Sequence, residues 1–227
     1  FLNENNFKDM KIVELYDNGH GIDTLGKCSP DMSLREYKKA RELVRDIVAK
    51  RRAMGYDARI LVPEDKDISL KERCRRVNAI CNQYGASNVI LVSVHCNAAG
   101  ADGKWKTAGG WCVYTSPGQT KADILATSIW NAAQDSLKPY KDRFPILQTQ
   151  GAYDKRQVPI RADWSDGDPD YEARFAVLTG TKCPAVLTES LFQDNKADVD
   201  FLLSREGHNA IVDLHVKGVD NYVKSLK

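Results

Sequence analysis

Four histidines occur in the chain, and two of them follow strand-like runs directly. His20 lies in Asn18-Gly-His-Gly21, just after the run Lys11-Ile-Val-Glu-Leu-Tyr-Asp17, and His95 closes Asn88-Val-Ile-Leu-Val-Ser-Val-His95. Glu189 ends a third such run, Pro184-Ala-Val-Leu-Thr-Glu189. In open α/β sheets, functional groups gather beyond the carboxyl ends of strands, where loops converge. Three titratable side chains at three strand ends therefore form a constellation, although they are distant in sequence. The glycines flanking His20 permit a tight turn that leaves its imidazole uncrowded. Glu189 follows an apolar run, and burial raises a carboxyl pKa toward the range that suits a proton shuttle. His208 and His215 fall in a C-terminal helical pattern and read as ordinary surface or core residues.

Glu36 has two readings. Ser33-Leu-Arg-Glu36 matches the capping box, in which the third helical residue bonds back to the capping residue's amide. Ser69-Leu-Lys-Glu72 matches it equally well and is read as a cap. Glu36 is also a first-turn carboxylate near the strand-end rim, placed to give an oxygen to a metal. Two histidines and one carboxylate with an open fourth position make a catalytic zinc site. Such an ion sharpens the acidity of water and polarises a carbonyl. Asn97, two residues beyond His95, either orients substrate or caps a loop. A Cys–His pair through Cys96 is disfavoured, because adjacent strand residues point to opposite faces.

The elements that must position these residues alternate along the chain. Leu34, Tyr37, Ala40, Leu43, Val44, Ile47 and Val48 recur at helical spacing, and Gly55 stops that helix. A strand over Asp57-Ala-Arg-Ile-Leu-Val62 follows, then a helix from Ser69 to about Tyr84. Gly110 to Thr115 reads as a strand and Lys121 to Leu137 as a helix. The stretch 138–170, rich in charge, Pro and Gly, reads as an insertion whose Trp164 and Asp166-Gly-Asp168 should lie near the groove. Tyr171 to Leu178 is a short helix or strand, and 196–224 is helix-rich. This alternation predicts a single α/β domain. Its mostly parallel central sheet has about six strands, with helices on both faces. Residues 10–227 form that catalytic domain, and 1–9 are an extension.

Composition narrows the function. Of 227 residues, 42% are apolar and 28% charged, with a formal net charge of +2. That balance predicts no dedicated nucleic-acid binding, which calls for a concentrated basic surface. Continuous apolar runs such as Val89 to Val92 fall far short of the roughly 20 residues that span a bilayer. The stretch Phe1 to Asp9 lacks the basic and apolar regions of a signal peptide, and Met10 is a candidate start. The six cysteines contain no C-x-x-C pair and read mostly as buried free thiols, suited to a reducing compartment.

Five blocks in order resemble a known family. They are Asp17-Asn-Gly-His-Gly21; the helix opening at Glu36 and reaching Gly55-Tyr56; Ser69-Leu-Lys-Glu-Arg73 with Asn78; Ser93-Val-His-Cys-Asn97; and Pro184-Ala-Val-Leu-Thr-Glu-Ser-Leu-Phe192 with Asn195. Together they resemble the zinc-dependent N-acetylmuramoyl-L-alanine amidases of the Amidase_3 type. Gly26-Lys-Cys-Ser-Pro-Asp31 and Gly110 to Thr120 look like a subgroup found in Bacteroides-type bacteria. The resemblance implies that His20, Glu36 and His95 bind one zinc ion and that Glu189 is the catalytic carboxylate. The implied reaction is hydrolysis, by zinc-activated water, of the amide between the lactyl group of N-acetylmuramic acid and L-alanine of the stem peptide. The implied partner is peptidoglycan and the implied place of action the cell wall, for a monomer serving either wall remodelling or phage lysis. The rivals are a zinc peptidase or deacylase on a non-muramyl amide, and a non-catalytic wall-binding module.

Overall fold

The computed structural model describes residues 12–144 and 158–227. Six strands, β1 (Val13–Asn18), β2 (Asp57–Ile60), β3 (Val89–Asn97), β4 (Cys112–Thr115), β5 (Tyr171–Glu172) and β6 (Ala185–Phe192), form one sheet in the order β2-β1-β3-β6-β4-β5. The helices are α1 (Glu36–Ala53), α2 (Leu70–Tyr84), α3 (Lys121–Leu137), α4 (Ala176–Thr179), α5 (Lys196–Leu203) and α6 (Arg205–Ser225).

The apolar run of β3 explains the layering. Ile90, Val92, Val94 and Cys96 join one core with Leu43 and Ile47 of α1, Leu125 and Ile129 of α3, and Ile211 of α6. Val89 and Leu91 point the other way, into a smaller core with Val77 of α2 and Val177 of α4. A strand covered on both faces is apolar at both parities, as this one is. The expected architecture is therefore the one found: an α/β domain with a mostly parallel six-stranded sheet and helices on both faces.

Orientation changes at one edge. β1, β2, β3 and β6 run parallel, whereas β4 pairs antiparallel with β6 and β5 pairs parallel with β4. The connection from β3 to β4 contains no helix. Without a crossover helix to carry the chain back, β4 enters the sheet reversed. The stretch 171–178 holds both a strand, β5, and the start of a helix, α4. The C-terminal helical stretch is broken at Ser204, whose Oγ caps α6 by accepting from Gly207 N at 3.0 Å.

The two sequence capping boxes behave differently. Ser33 does not cap α1: its hydroxyl and amide both donate to Asp31 Oδ1, at 2.7 and 3.0 Å, and the capping position falls on Arg35 without a side-chain bond. Ser69 does cap α2, accepting from Glu72 N at 3.2 Å, but the Glu72 carboxylate turns to Arg75 and Arg76. A reciprocal capping box forms instead at Thr120 and Asp123 of α3. The extension 1–9, and part of 138–170, lie outside the described residues.

Candidate active site

β1, β3 and β6 are adjacent and parallel over the segment that matters, so their carboxyl ends open on the same rim. His95 and Glu189 are register partners on neighbouring strands. One residue further, β6 accommodates a bulge: Asn97 pairs with Phe192, and Leu191 adopts a left-handed φ of 68°. The bulge falls where the sheet ends and the rim begins, a common place for a strand to re-aim its side chains.

His20 arrives from the turn after β1 with φ 61°, a conformation that few side chains adopt. Its flanking glycines are needed for close approach. A Cβ on Gly19 would stand 2.2 Å from His95 Cε1, and one on Gly21 would stand 1.9 Å from the Asp67 backbone nitrogen. The two imidazoles consequently meet edge to face, with ring centroids 5.1 Å apart. Glu36 enters from the first turn of α1, 1% exposed. Its Oε1 lies 3.0 Å from His95 Nδ1 and 3.3 Å from His20 Nε2, and accepts from Cys96 N at 3.1 Å.

The three side chains His20, Glu36 and His95 each offer a ligand atom, all within 4.8 Å of one another. Glu36 Oε2 is buried without a hydrogen-bond partner. Two imidazole nitrogens, a carboxylate oxygen and an orphaned second oxygen fit a divalent cation of borderline softness such as zinc. Burial works to raise the Glu36 carboxyl, but hydrogen bonds from His20 and His95 outweigh it and hold the group well below the usual range. Burial lowers His95, and contact with Glu36 plus the charge of Glu189 more than reverses that. Glu189 is pushed up to about 8, by burial first, with His95 opposing and Glu36 reinforcing the shift. Its Oε2 is also buried and without a partner.

A cavity of about 520 Å³ opens onto these groups. His20, His95 and Glu189 line it, and Ile68, Leu70, Phe175, Val177 and Leu187 give it apolar walls. Its size suits an extended small ligand or a segment of polymer.

Residues 15–221 match the family described as N-acetylmuramoyl-L-alanine amidase. The chain belongs to that family. It is 26% identical over 215 residues to the endolysin of Bacillus phage SPP1, a match covering 92% of this chain and 65% of the endolysin. The chain thus spans less than two thirds of that relative. Among solved structures, the N-acetylmuramoyl-L-alanine amidase of Clostridium difficile 630 is similar in fold, with a TM-score of 0.72 at 22% identity, covering 96% of this chain and 100% of that one. The amidase AmiC2 of Nostoc punctiforme has a TM-score of 0.69 at 20% identity, covering 94% and 97% respectively.

In this amidase-family chain, sequence reasoning missed the polar frame behind the rim. Arg73 of α2 makes a buried ion pair with Asp17, donates to Asn18 O at 2.8 Å and reaches Asp67 Oδ1 at 2.7 Å. Ser93 Oγ donates to the other Asp17 oxygen at 2.6 Å. Arg41 of α1 holds the His20 carbonyl at 3.0 Å. These bonds fix the His20 turn from two helices at once. The only sequence signal was an Asp just inside a strand end; its partner Arg73, 56 positions away, carried none.

Of the other expectations, some are met and some are not. Asn97 Oδ1 accepts from Ala98 N at 2.8 Å, in line with the loop-capping alternative, and its Nδ2 donates to Cys112 Sγ of β4 at 3.8 Å. Trp164 packs edge-on against Trp130 of α3, and Asp166 accepts from Gln119 Nε2 at 3.2 Å; neither these two nor Asp168 lines the groove. His215 is core and His208 pairs with Asp46 on the surface. Cys96 is in the core on the face opposite His95.

Proposed function

We propose that this chain is a peptidoglycan amidase. It hydrolyses the amide between the lactyl group of N-acetylmuramic acid and L-alanine of the stem peptide. His20, Glu36 and His95 hold one zinc ion, and Glu189 handles the proton. The observation that carries this reading is the convergence of His20 and His95 on Glu36 Oε1, with Glu189 beside them in one groove. Family membership supplies the substrate class.

When bound by these three side chains, zinc supplies Lewis acidity, making water a stronger acid and a carbonyl a better electrophile. The chain's own residues do the rest. Glu189 sits on the strand next to His95 but outside the converging donor set, so its carboxylate is available to substrate and water. That carboxylate, lining the groove, accepts a proton from the attacking water and returns it to the departing L-alanine nitrogen. The apolar walls at Ile68, Leu70, Val177 and Leu187 exclude bulk water and strengthen every charge interaction at the reacting carbonyl. Arg41 and Arg73 hold the His20 turn, so the imidazole is placed before substrate arrives. The catalytic unit is residues 10–227, acting as a monomer on glycan strands and their stem peptides at the cell wall.

Elemental analysis paired with turnover on purified peptidoglycan tests the assignment. Wild type should carry one zinc per chain, and His95→Ala should lose both metal and turnover. Full activity in metal-free protein, or undiminished zinc in His95→Ala, would contradict it.

A further inference from the structure

Phe175, at the capping position of α4, lines the groove yet is 39% exposed. Leu70, at the start of α2, lines the same groove and is 55% exposed. Single exposed apolar side chains are ordinary on a protein surface, but two on one groove offer contact to an apolar part of a ligand.

Phe175 is firmly mounted. Its carbonyl accepts from Leu178 N and Thr179 N, both at 3.0 Å, and from the Thr179 hydroxyl at 3.1 Å. Its ring lies 5.3 Å from that of Tyr114 at 55°, and Tyr114 lies 5.3 Å from Tyr171 at 36°. Tyr114 and Tyr171 are register partners on β4 and β5. Three aromatic rings thus stand in a row, with the last reaching the groove. Tyr114 also pairs with Leu187 of β6, two residues before Glu189, and both of those β6 residues line the groove. Two residues of strand span about 7 Å. The phenyl ring therefore stands along the approach to Glu189 and not at the reacting atoms.

Charge decides what fits beside it. Arg73, Asp17 and Asp67 line the groove but close on one another as ion pairs, and His20, His95 and Glu189 serve the chemistry. The neighbours left to Phe175 are apolar, Val177 and Leu187 among them. The two sides of the scissile amide differ in the same respect. Beyond L-alanine the stem peptide carries ionised groups. The carbonyl side carries a lactyl methyl and then a pyranose, an uncharged ring with C–H groups on its faces, which an aromatic face takes by apolar contact.

We propose that Phe175 is a substrate-binding residue that stacks on the muramyl pyranose ring, with Tyr114 and Tyr171 fixing its angle. The proposal rests on the amidase reading above and adds which side of the bond this wall holds. Phe175 then selects substrates that carry the sugar over those that carry the lactyl group alone.

Two soluble substrates with the same scissile amide test it on the whole zinc-loaded chain. One is a muramyl-L-alanyl peptide, and the other is the same peptide acylated with lactic acid, which lacks the ring. Wild type should prefer the first by about tenfold in kcat/KM, mostly through KM. Phe175→Leu keeps apolar bulk but loses the flat face, so it should bring that ratio close to one while zinc content and melting temperature hold. Phe175→Trp should retain the ratio. Binding of N-acetylmuramic acid, read by ligand-observed NMR, needs no turnover and should weaken in Phe175→Leu. Sugar binding that depends on Phe175, in a chain that cleaves neither peptide, would sink the amidase reading alone. Equal use of the two substrates by wild type, no binding of the sugar, or a ratio that Phe175→Leu leaves undiminished would overturn the proposal.

Discussion

At the scale of single residues, Glu36 and Glu189 are both buried carboxyls with one orphaned oxygen, yet their surroundings drive them in opposite directions. Two imidazoles and an amide hold Glu36 ionised, which suits the ligand role proposed for it. At Glu189 burial dominates and raises the carboxyl, which suits the proton carrier proposed for it. Glu189→Gln should retain fold and zinc while turnover falls by about 10²–10⁴-fold, because an amide neither accepts nor returns the proton. Near-normal turnover in that variant would remove Glu189 from the chemistry. Glu36 and Glu72 offer a sharper contrast, since the same sequence pattern precedes both. Glu36→Ala should lose zinc and activity; Glu72→Ala removes only surface pairing with Arg75 and Arg76 and should leave both intact. Zinc content and turnover measured on the two proteins check this, and equal behaviour would reduce Glu36 to a helix-start residue. The sequence pattern alone left the two glutamates alike. What separates them is that Asp31 takes Ser33 away from α1, a contact between loop residues with no periodic signature.

At the scale of elements, positions at strand ends were readable and partnerships between elements were not. His20, His95 and Glu189 were found from apolar runs that stop at a titratable residue, because period and length report a strand directly. Arg73, 56 positions from Asp17, and His215 of α6, 27 from Thr188, carry no such local mark. His215 is fully buried, its Nδ1 2.8 Å from Ile211 O and its Nε2 2.8 Å from the Thr188 hydroxyl. That geometry suits a neutral ring donating through Nδ1 to the carbonyl and accepting at Nε2. Burial lowers its pKa from 6.5 to about 4. Below pH 6.5 the unfolded chain takes up a proton that the folded chain refuses, so stability falls as pH drops from 6.5 toward 4. The shift corresponds to a loss of about 3 kcal/mol at most. Urea unfolding at pH 7 and pH 4.5 should show this loss in wild type and a much smaller one in His215→Gln. An equal loss in both would mean that His215 does not set the acid limit.

At the scale of the whole molecule, the fold places two polar frames on opposite sides of β1. Asp17 and Arg73 tie β1 to α2 beneath the rim, while on the other face Arg51 of α1 bonds Glu14 at 2.6 Å and Asp220 of α6 at 2.9 Å. Successive residues of a strand point to opposite faces, so Glu14 and Asp17 serve different layers. The alternation of strands and helices made the α/β class legible, and continuous apolar runs made the parallel core legible. The reversed edge was not, since strand direction there follows from a connection that lacks a helix, and a missing helix has no pattern of its own. That parallel core brings three strand ends together, and the central claim is that they act on one bond. Product analysis of peptidoglycan digested by the zinc-loaded protein tests it most directly. New L-alanine amino termini with glycan strands left intact are the predicted result. New reducing ends, cleavage within the stem peptide, or binding to peptidoglycan with no new termini would contradict it.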